Sequence, residues 1–169
     1  NGGVPQAGNL SAHLANIRET LPLWLPDPSW TGNAVLDFEA WTTVWELNVS
    51  PDSSTGPKTG WHAMRYQNYS RLLVEQDHPN WNATRVEAAA KAAFEAAATE
   101  WFVRTLEECK QIRPKAKWGF YGLPLGFTRP CSGSGMGMGC GYDGPTGATL
   151  RQQAEVKQLP IWKASTALY

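Results

Sequence analysis

The stretch Ala34-Val35-Leu36-Asp37-Phe38-Glu39 is an apolar run interrupted by two acids spaced two residues apart. It follows a loop rich in Pro, Asp, Ser and Gly, from Pro26 to Asn33, and reads as a short strand over 34–39 of the kind buried on both faces in a parallel sheet. Side chains alternate along a strand, so Asp37 and Glu39 project to one side, about 6.6 Å apart along the backbone, while Leu36 and Phe38 take the other. In a barrel, Leu36 and Phe38 would pack on the surrounding helices and both acids would enter at the strand's carboxyl end, where barrel active sites lie.

Upstream, residues 9–25 carry Leu10, Leu14, Ile17, Leu21 and Leu25 at helical spacing until Pro22 and Pro26 disturb the backbone. Downstream, Ser50 to Gly60 is dominated by turn formers, and a helix is predicted over 61–76. His78-Pro79-Asn80-Trp81 breaks that pattern. Thr84-Arg85-Val86-Glu87 then matches a capping box and opens a long helix over 84–113, which Pro114 ends. Lys117-Trp118-Gly119-Phe120-Tyr121 is short, aromatic and bounded by Pro and Gly, and reads as a second strand over 117–121. Gly and Pro fill a long loop over 122–147, and a C-terminal helix follows from Ala148.

Strands separated by helical crossovers predict an α/β fold with a parallel sheet. Two strands do not make a stable sheet and a full β/α barrel takes about 250 residues, so the 169-residue sequence reads as one domain that is incomplete for its own fold. It also starts at Asn1-Gly2-Gly3-Val4-Pro5 without the basic and apolar regions of a signal peptide, and is expected to begin inside a longer protein.

Lys plus Arg and Asp plus Glu balance at 15 each, which points away from nucleic acid and from an anionic membrane as partner. No apolar run reaches the roughly 18 residues of a membrane-spanning helix. Asn9, Asn48, Asn68 and Asn82 each fit the glycosylation acceptor pattern, with Pro51 behind Ser50 weakening Asn48. Cys131 and Cys140 bracket a Ser-, Gly- and Met-rich loop that a disulfide would pin in an oxidising compartment. Together these features predict secretion, or residence in a lysosome-like lumen. Cys109 lies on an apolar helical face and reads as a buried thiol.

Two carboxylates sharing a partly desolvated cleft resist double ionisation, which keeps one proton available for glycosidic cleavage. The spacing alone fits an ordinary salt-bridging acid pair better than a catalytic one. His13, His62 and His78 are dispersed, so no metal is assigned, and no cofactor is implied. Gly133-Ser134-Gly135-Met136-Gly137-Met138-Gly139 lacks the Lys and the strand-to-helix setting of a phosphate loop and reads as a loop tip. Nine Trp residues suit either core packing or stacking on sugar faces.

Four blocks extend the reading: Asp37-Phe38-Glu39-Ala40-Trp41 with Trp45, then His78-Pro79-Asn80-Trp81, Arg113-Pro114-Lys115, and Trp118-Gly119-Phe120-Tyr121-Gly122. In order and spacing they resemble the hyaluronidases, glycoside hydrolase family 56. The resemblance implies part of a TIM-like (β/α) barrel and an endo-acting hydrolase of hyaluronan or chondroitin, working by substrate-assisted retention. It implies Glu39 as general acid and then base, Asp37 as the group that orients the substrate's acetamido oxygen, and Tyr121 as its positioning partner. Trp41 and Trp118 become candidate sugar-binding residues. Where the family commonly has Arg-Pro after the tryptophan this chain has Thr42-Thr43, and Leu123-Pro124-Leu125-Gly126 lacks the family's acid and cysteine, a cysteine that Cys131 would replace. These departures leave room for a second reading, a hyaluronidase-like extracellular glycoprotein without turnover, binding glycans or serving structurally, with the barrel completed by other residues or chains.

Overall fold

The computed structural model describes residues 3–38, 40–48, 63–122 and 145–169, with the side chains of 47, 63–65 and 145–154 outside that description. Four helices and two strands follow in the order α1 (Leu10–Trp24), β1 (Asn33–Leu36), α2 (Ala63–Asp77), α3 (Ala83–Ile112), β2 (Lys117–Phe120) and α4 (Pro145–Ala164), with 3-10 turns at Pro5–Ala7 and Trp45–Leu47.

The helix starts are set by asparagines. Asn9 accepts from the Ala12 N–H at 2.9 Å to open α1, and Asn82 accepts from the Arg85 N–H at 2.9 Å to open α3. Asn82, not Thr84, is therefore the cap of α3, and Glu87 turns away from the helix start to bind Trp45 and Arg71. Helix α1 continues through Pro22 to Trp24. A proline this near the C-terminal end removes a single backbone bond, and the Leu25 N–H still closes on the Leu21 carbonyl.

Helix α3 is the spine of the molecule, 30 residues long, or about 45 Å at the usual rise. Val86, Ala90, Phe94, Ala98, Phe102 and Leu106 form one buried stripe at four-residue spacing. Its C-terminal half joins Leu21, Ala34, Trp118, Phe120 and Ile161 in one core cluster; its N-terminal half joins Val4 and Trp45 in a second. Trp41 packs against both. Pro114 leaves α3 no continuation, and the buried Arg113 turns back to donate to the carbonyls of Leu25 and Ile112. That contact ties the end of α3 to the loop leading into β1.

Strands β1 and β2 pair in parallel, with Asn33 opposite Lys117 and Leu36 opposite Phe120. The ladder continues one step further, the Tyr121 N–H donating to the Leu36 carbonyl at 2.8 Å. Residues 117 and 121 bond toward β1, so Trp118 bonds toward the opposite edge. There its carbonyl accepts from the N–H groups of Thr166 and Ala167 at 2.8 and 3.0 Å. The tail after α4 thus bends against β2, and the predicted C-terminal helix ends at Ala164, short of Tyr169.

This tail explains Gly119. A methyl group there would overlap the Ala167 carbonyl and meet the Tyr169 ring. Gly119→Ala is expected to destabilise the fold by at least about 2 kcal/mol, read as a lowered denaturant midpoint.

The Arg18 guanidinium reaches Glu108 on α3 through two hydrogen bonds of 2.7 and 2.6 Å. Hydrogen bonding and charge from Arg18 hold the Glu108 carboxyl below its ordinary value. Hydrogen bonding from Arg71 does the same for Glu87. A carboxyl whose folded pKa is depressed adds stability above its unfolded value, and that stability is lost as the pH falls through the folded value. Melting temperature is therefore expected to drop below about pH 4.5. The acid limb should be shallower in Glu108→Gln, and an unchanged limb would remove this pair from the cause.

Candidate functional site

The site is built from the alternation of the two strands. Ala34 and Leu36 of β1, with Trp118 and Phe120 of β2, pack toward the core beneath the sheet. Val35 and Asp37, with Gly119 and Tyr121, therefore share the opposite face. Val35, Asp37 and Tyr121 are exposed there, and Gly119 carries no side chain. Extending the register by one residue beyond Leu36 and Phe120 sets Asp37 beside Tyr121 on neighbouring strands, at the carboxyl end of the sheet. The bond from the Tyr121 N–H to Leu36 fixes this alignment. Asp37 and Tyr121 are thus the next residues beyond the paired ends of neighbouring strands, both exposed, while Gly119 on the same face is buried beneath Ala167 and Tyr169.

Phe38 turns to the helical side, as alternation predicts. Its ring meets Trp41 edge-on at 4.6 Å between centroids and Phe102 of α3 at 5.8 Å. Glu39 falls outside the described residues, as do Cys131, Cys140 and His62.

Burial corrects one expectation about sugar-stacking tryptophans, that for Trp118, and leaves Trp41 partly accessible at a cleft wall. Trp118 is 2 % exposed, lies beneath the sheet, and spends its indole N–H on the Arg113 carbonyl at 3.0 Å. It is a core residue and has no face to offer a sugar. Trp41 is half-buried, with Phe38, Phe94 and Phe102 all meeting its ring edge-on. It seals the junction of the two core clusters.

The acceptor asparagines also divide. Asn9, Asn68 and Asn82 are exposed, but Asn48 is 2 % exposed. Its Oδ1 accepts from the Thr42 N–H at 2.9 Å, and its Nδ2 donates to the carbonyls of Thr42 and Val44, each at 2.9 Å. A glycan on that nitrogen would displace both donated bonds from the interior, so Asn48 leaves the acceptor set.

Two of the sequence blocks turn out to be corners of the framework. His78 stacks on Trp81 at 3.8 Å between centroids, and Arg85 covers the Trp81 ring. Arg113 and Pro114 make the turn from α3 toward β2. Cys109 is buried, as its helical face predicts, and burial pushes its thiol up to about 12, so it is not a nucleophile. Among the described residues no three His, Cys, Asp or Glu side chains converge as metal ligands.

A cleft of about 940 Å³ runs along the free edge of β1, between that strand and helices α1 and α3. Its walls include Ile17, Leu21, Ala34, Leu36, Phe102 and Cys109, with Asp37 among the residues that line it. The trough is mostly apolar, with Trp30, Trp41 and Trp101 also in its walls, and lies beside a strand edge that has no strand partner among the described residues.

Sequence reasoning missed the polar grip on the segment after β1. Glu95 accepts from the Trp45 N–H at 2.9 Å, Glu87 from its indole N–H at 3.0 Å, and the Trp45 carbonyl accepts from Gln67 at 2.9 Å. Glu46 pairs with Lys91 of α3 and Lys157 of α4. No local pattern links these residues. The resemblance of Glu87 to a capping-box member pointed elsewhere.

The hyaluronidase family profile matches residues 1–169. Human hyaluronidase-1 is 35% identical over 173 aligned residues, covering 99% of this chain and 34% of that protein. Chondroitin hydrolase of Caenorhabditis elegans is 34% identical, covering 100% of this chain and 32% of that protein. Bee venom hyaluronidase, solved in complex with a hyaluronic acid tetramer, superimposes with a TM-score of 0.79 at 31% identity, over 99% of this chain and 46% of that one. The chain spans about a third of the length of these two curated relatives. With its whole length matched, the chain belongs to the hyaluronidase family of glycoside hydrolases.

Proposed function

We propose that this chain is a section of the catalytic domain of an endo-acting glycosidase that cleaves N-acetylhexosaminidic bonds of hyaluronan or chondroitin. The observation that carries the reading is the parallel pairing of β1 with β2, which ends at Leu36 and Phe120 with Asp37 and Tyr121 following at its carboxyl end, the end at which barrel active sites lie. Family membership adds the chemistry.

In this reading the substrate's own acetamido oxygen attacks the anomeric carbon as the glycosidic bond breaks. Glu39 gives its proton to the departing oxygen, then takes one from the water that opens the cyclic intermediate, so retention needs no enzyme nucleophile. Asp37 orients the acetamido group and balances the positive charge that develops on it. Tyr121 donates from its phenol to hold the same group in line.

The edge of β1 away from β2 has no strand partner among the described residues, in keeping with residues 1–169 being one section of a barrel. The alternative, a glycan-binding member without turnover, draws support from the segment after the acids, where the buried Thr42 and Thr43 stand in place of the family's Arg-Pro. A secreted or lysosomal setting agrees with a glycosaminoglycan substrate, with glycans on Asn9, Asn68 and Asn82, and with a Cys131–Cys140 disulfide. No helix among the described residues is long and apolar enough to cross a membrane.

The deciding experiment is depolymerisation of hyaluronan and chondroitin by the complete natural protein. Glu39→Gln is expected to lower kcat by about 10²- to 10⁴-fold. Tyr121→Phe should cost about tenfold, the worth of one hydrogen bond. Equal turnover by Glu39→Gln and the unsubstituted protein would remove Glu39 as the acid, and no turnover by either would favour the glycan-binding alternative. Separately, peptide mapping of protein made in a secretory pathway is expected to find carbohydrate at Asn9, Asn68 or Asn82 and none at Asn48. An occupied Asn48 would show that its carboxamide does not make the interior bonds described above.

A further inference from the structure

Beyond Leu36 no ladder bond to β2 other than that of Tyr121 holds the strand end among the described residues, so the segment that leaves β1 is anchored at two points, one before Asp37 and one after Trp41. One anchor is the ladder itself. The other begins at Thr42, where Asn48 folds residues 42–48 into a closed turn. A carboxamide offers one oxygen and two N–H donors. All of these are used here, the oxygen by the Thr42 N–H and the donors by the Thr42 and Val44 carbonyls, in a site that is 2 % exposed. The turn is then locked to its surroundings through Trp45, whose N–H, carbonyl and indole bind Glu95, Gln67 and Glu87.

From this geometry we infer that Asn48 is a positioning residue for the carboxylate-bearing strand end, acting through the turn and touching no substrate. This role rests on the catalytic reading of Asp37 and Glu39. Only Ala40 and Trp41 separate Glu39 from the turn, and Trp41 is wedged between the two core clusters, so a shift at Thr42 has little slack to absorb it. A displacement of about 1 Å in a reacting group costs on the order of 100-fold in rate.

The charged groups facing the segment are Arg71 from α2, Glu87, Lys91 and Glu95 from α3, and Lys157 from α4. They pair with one another or with Glu46 on the segment itself. Burial opposes ionisation of Glu46, but the hydrogen bond from Lys91 and the charges of Lys157 and Lys91 outweigh it and hold its carboxyl low.

The test uses the complete natural protein with hyaluronan or chondroitin as substrate. Asn48→Ala is expected to lower kcat about 10- to 100-fold while KM changes less than about threefold, the signature of misplaced chemistry more than of lost binding. Asn48→Asp supplies a readout that a merely structural role would not move. Its carboxylate keeps the acceptor for Thr42 but faces two carbonyl oxygens, and only the protonated form can donate to one of them. Its kcat relative to the unsubstituted protein is therefore expected to rise as the pH is lowered from about 7 to about 4.5, while the ratio for Asn48→Ala stays level.

Glu39→Gln separates the two claims. If it is inactive and a folded Asn48→Ala keeps the unsubstituted kcat, the positioning role falls and the catalytic reading stands. If Asn48→Ala does not fold, the pH dependence of Asn48→Asp decides, and a level ratio overturns the role. Normal turnover by Glu39→Gln would remove both together.

Discussion

The parallel pairing of β1 with β2 is the constraint on which the arrangement depends. Asn33 and Lys117 are far apart in sequence, joined through α2 and α3, and only their alignment decides which side chains become neighbours. A slip of one residue would turn Asp37 toward the helices and Phe38 outward, because side chains alternate with a period of two. The register resists that slip because Ala34, Leu36, Trp118 and Phe120 all have apolar partners beneath the sheet. Burial on one face thus positions polar groups on the other.

Helix α3 turns this pairing into a three-dimensional site. Its single stripe of alanines and phenylalanines serves two clusters at once, the sheet's underside and the pocket around Trp45. The small alanines let neighbouring elements approach, while Phe94 and Phe102 meet Trp41 edge-on, a favoured aromatic geometry. The segment after β1 therefore leaves the sheet past Trp41, which packs against both clusters. Charged groups at that junction are paired, which limits the cost of withdrawing them from water.

Much of the fold was legible along the chain because it rests on local signals. The periodic apolar positions of α1, α2 and α3 predicted helices whose observed ends differ by one or two residues, apart from the C-terminal one, where a helical pattern ran on into a tail that β2 captures. The start of α3 was misassigned between Thr84 and Asn82 because both are good caps, and only the bond to Arg85 distinguishes them. Leu36 and Phe38 were placed on the helix-facing side by alternation alone.

By itself the amino-acid sequence determined the kinds of element, their parallel order, the side of β1 on which Asp37 lies, and the family, since each follows from short-range periodicity or a compact motif. The tertiary structure alone decided the register that pairs Leu36 with Phe120, that Trp118 is core, and that Asn48 serves the interior and leaves no nitrogen for a glycan. A tryptophan that stacks on sugar and one that fills a core are written with the same letter. So are an asparagine that carries carbohydrate and one whose carboxamide closes a turn. Which role each plays depends on burial and on partners distant in the chain, which local sequence does not encode.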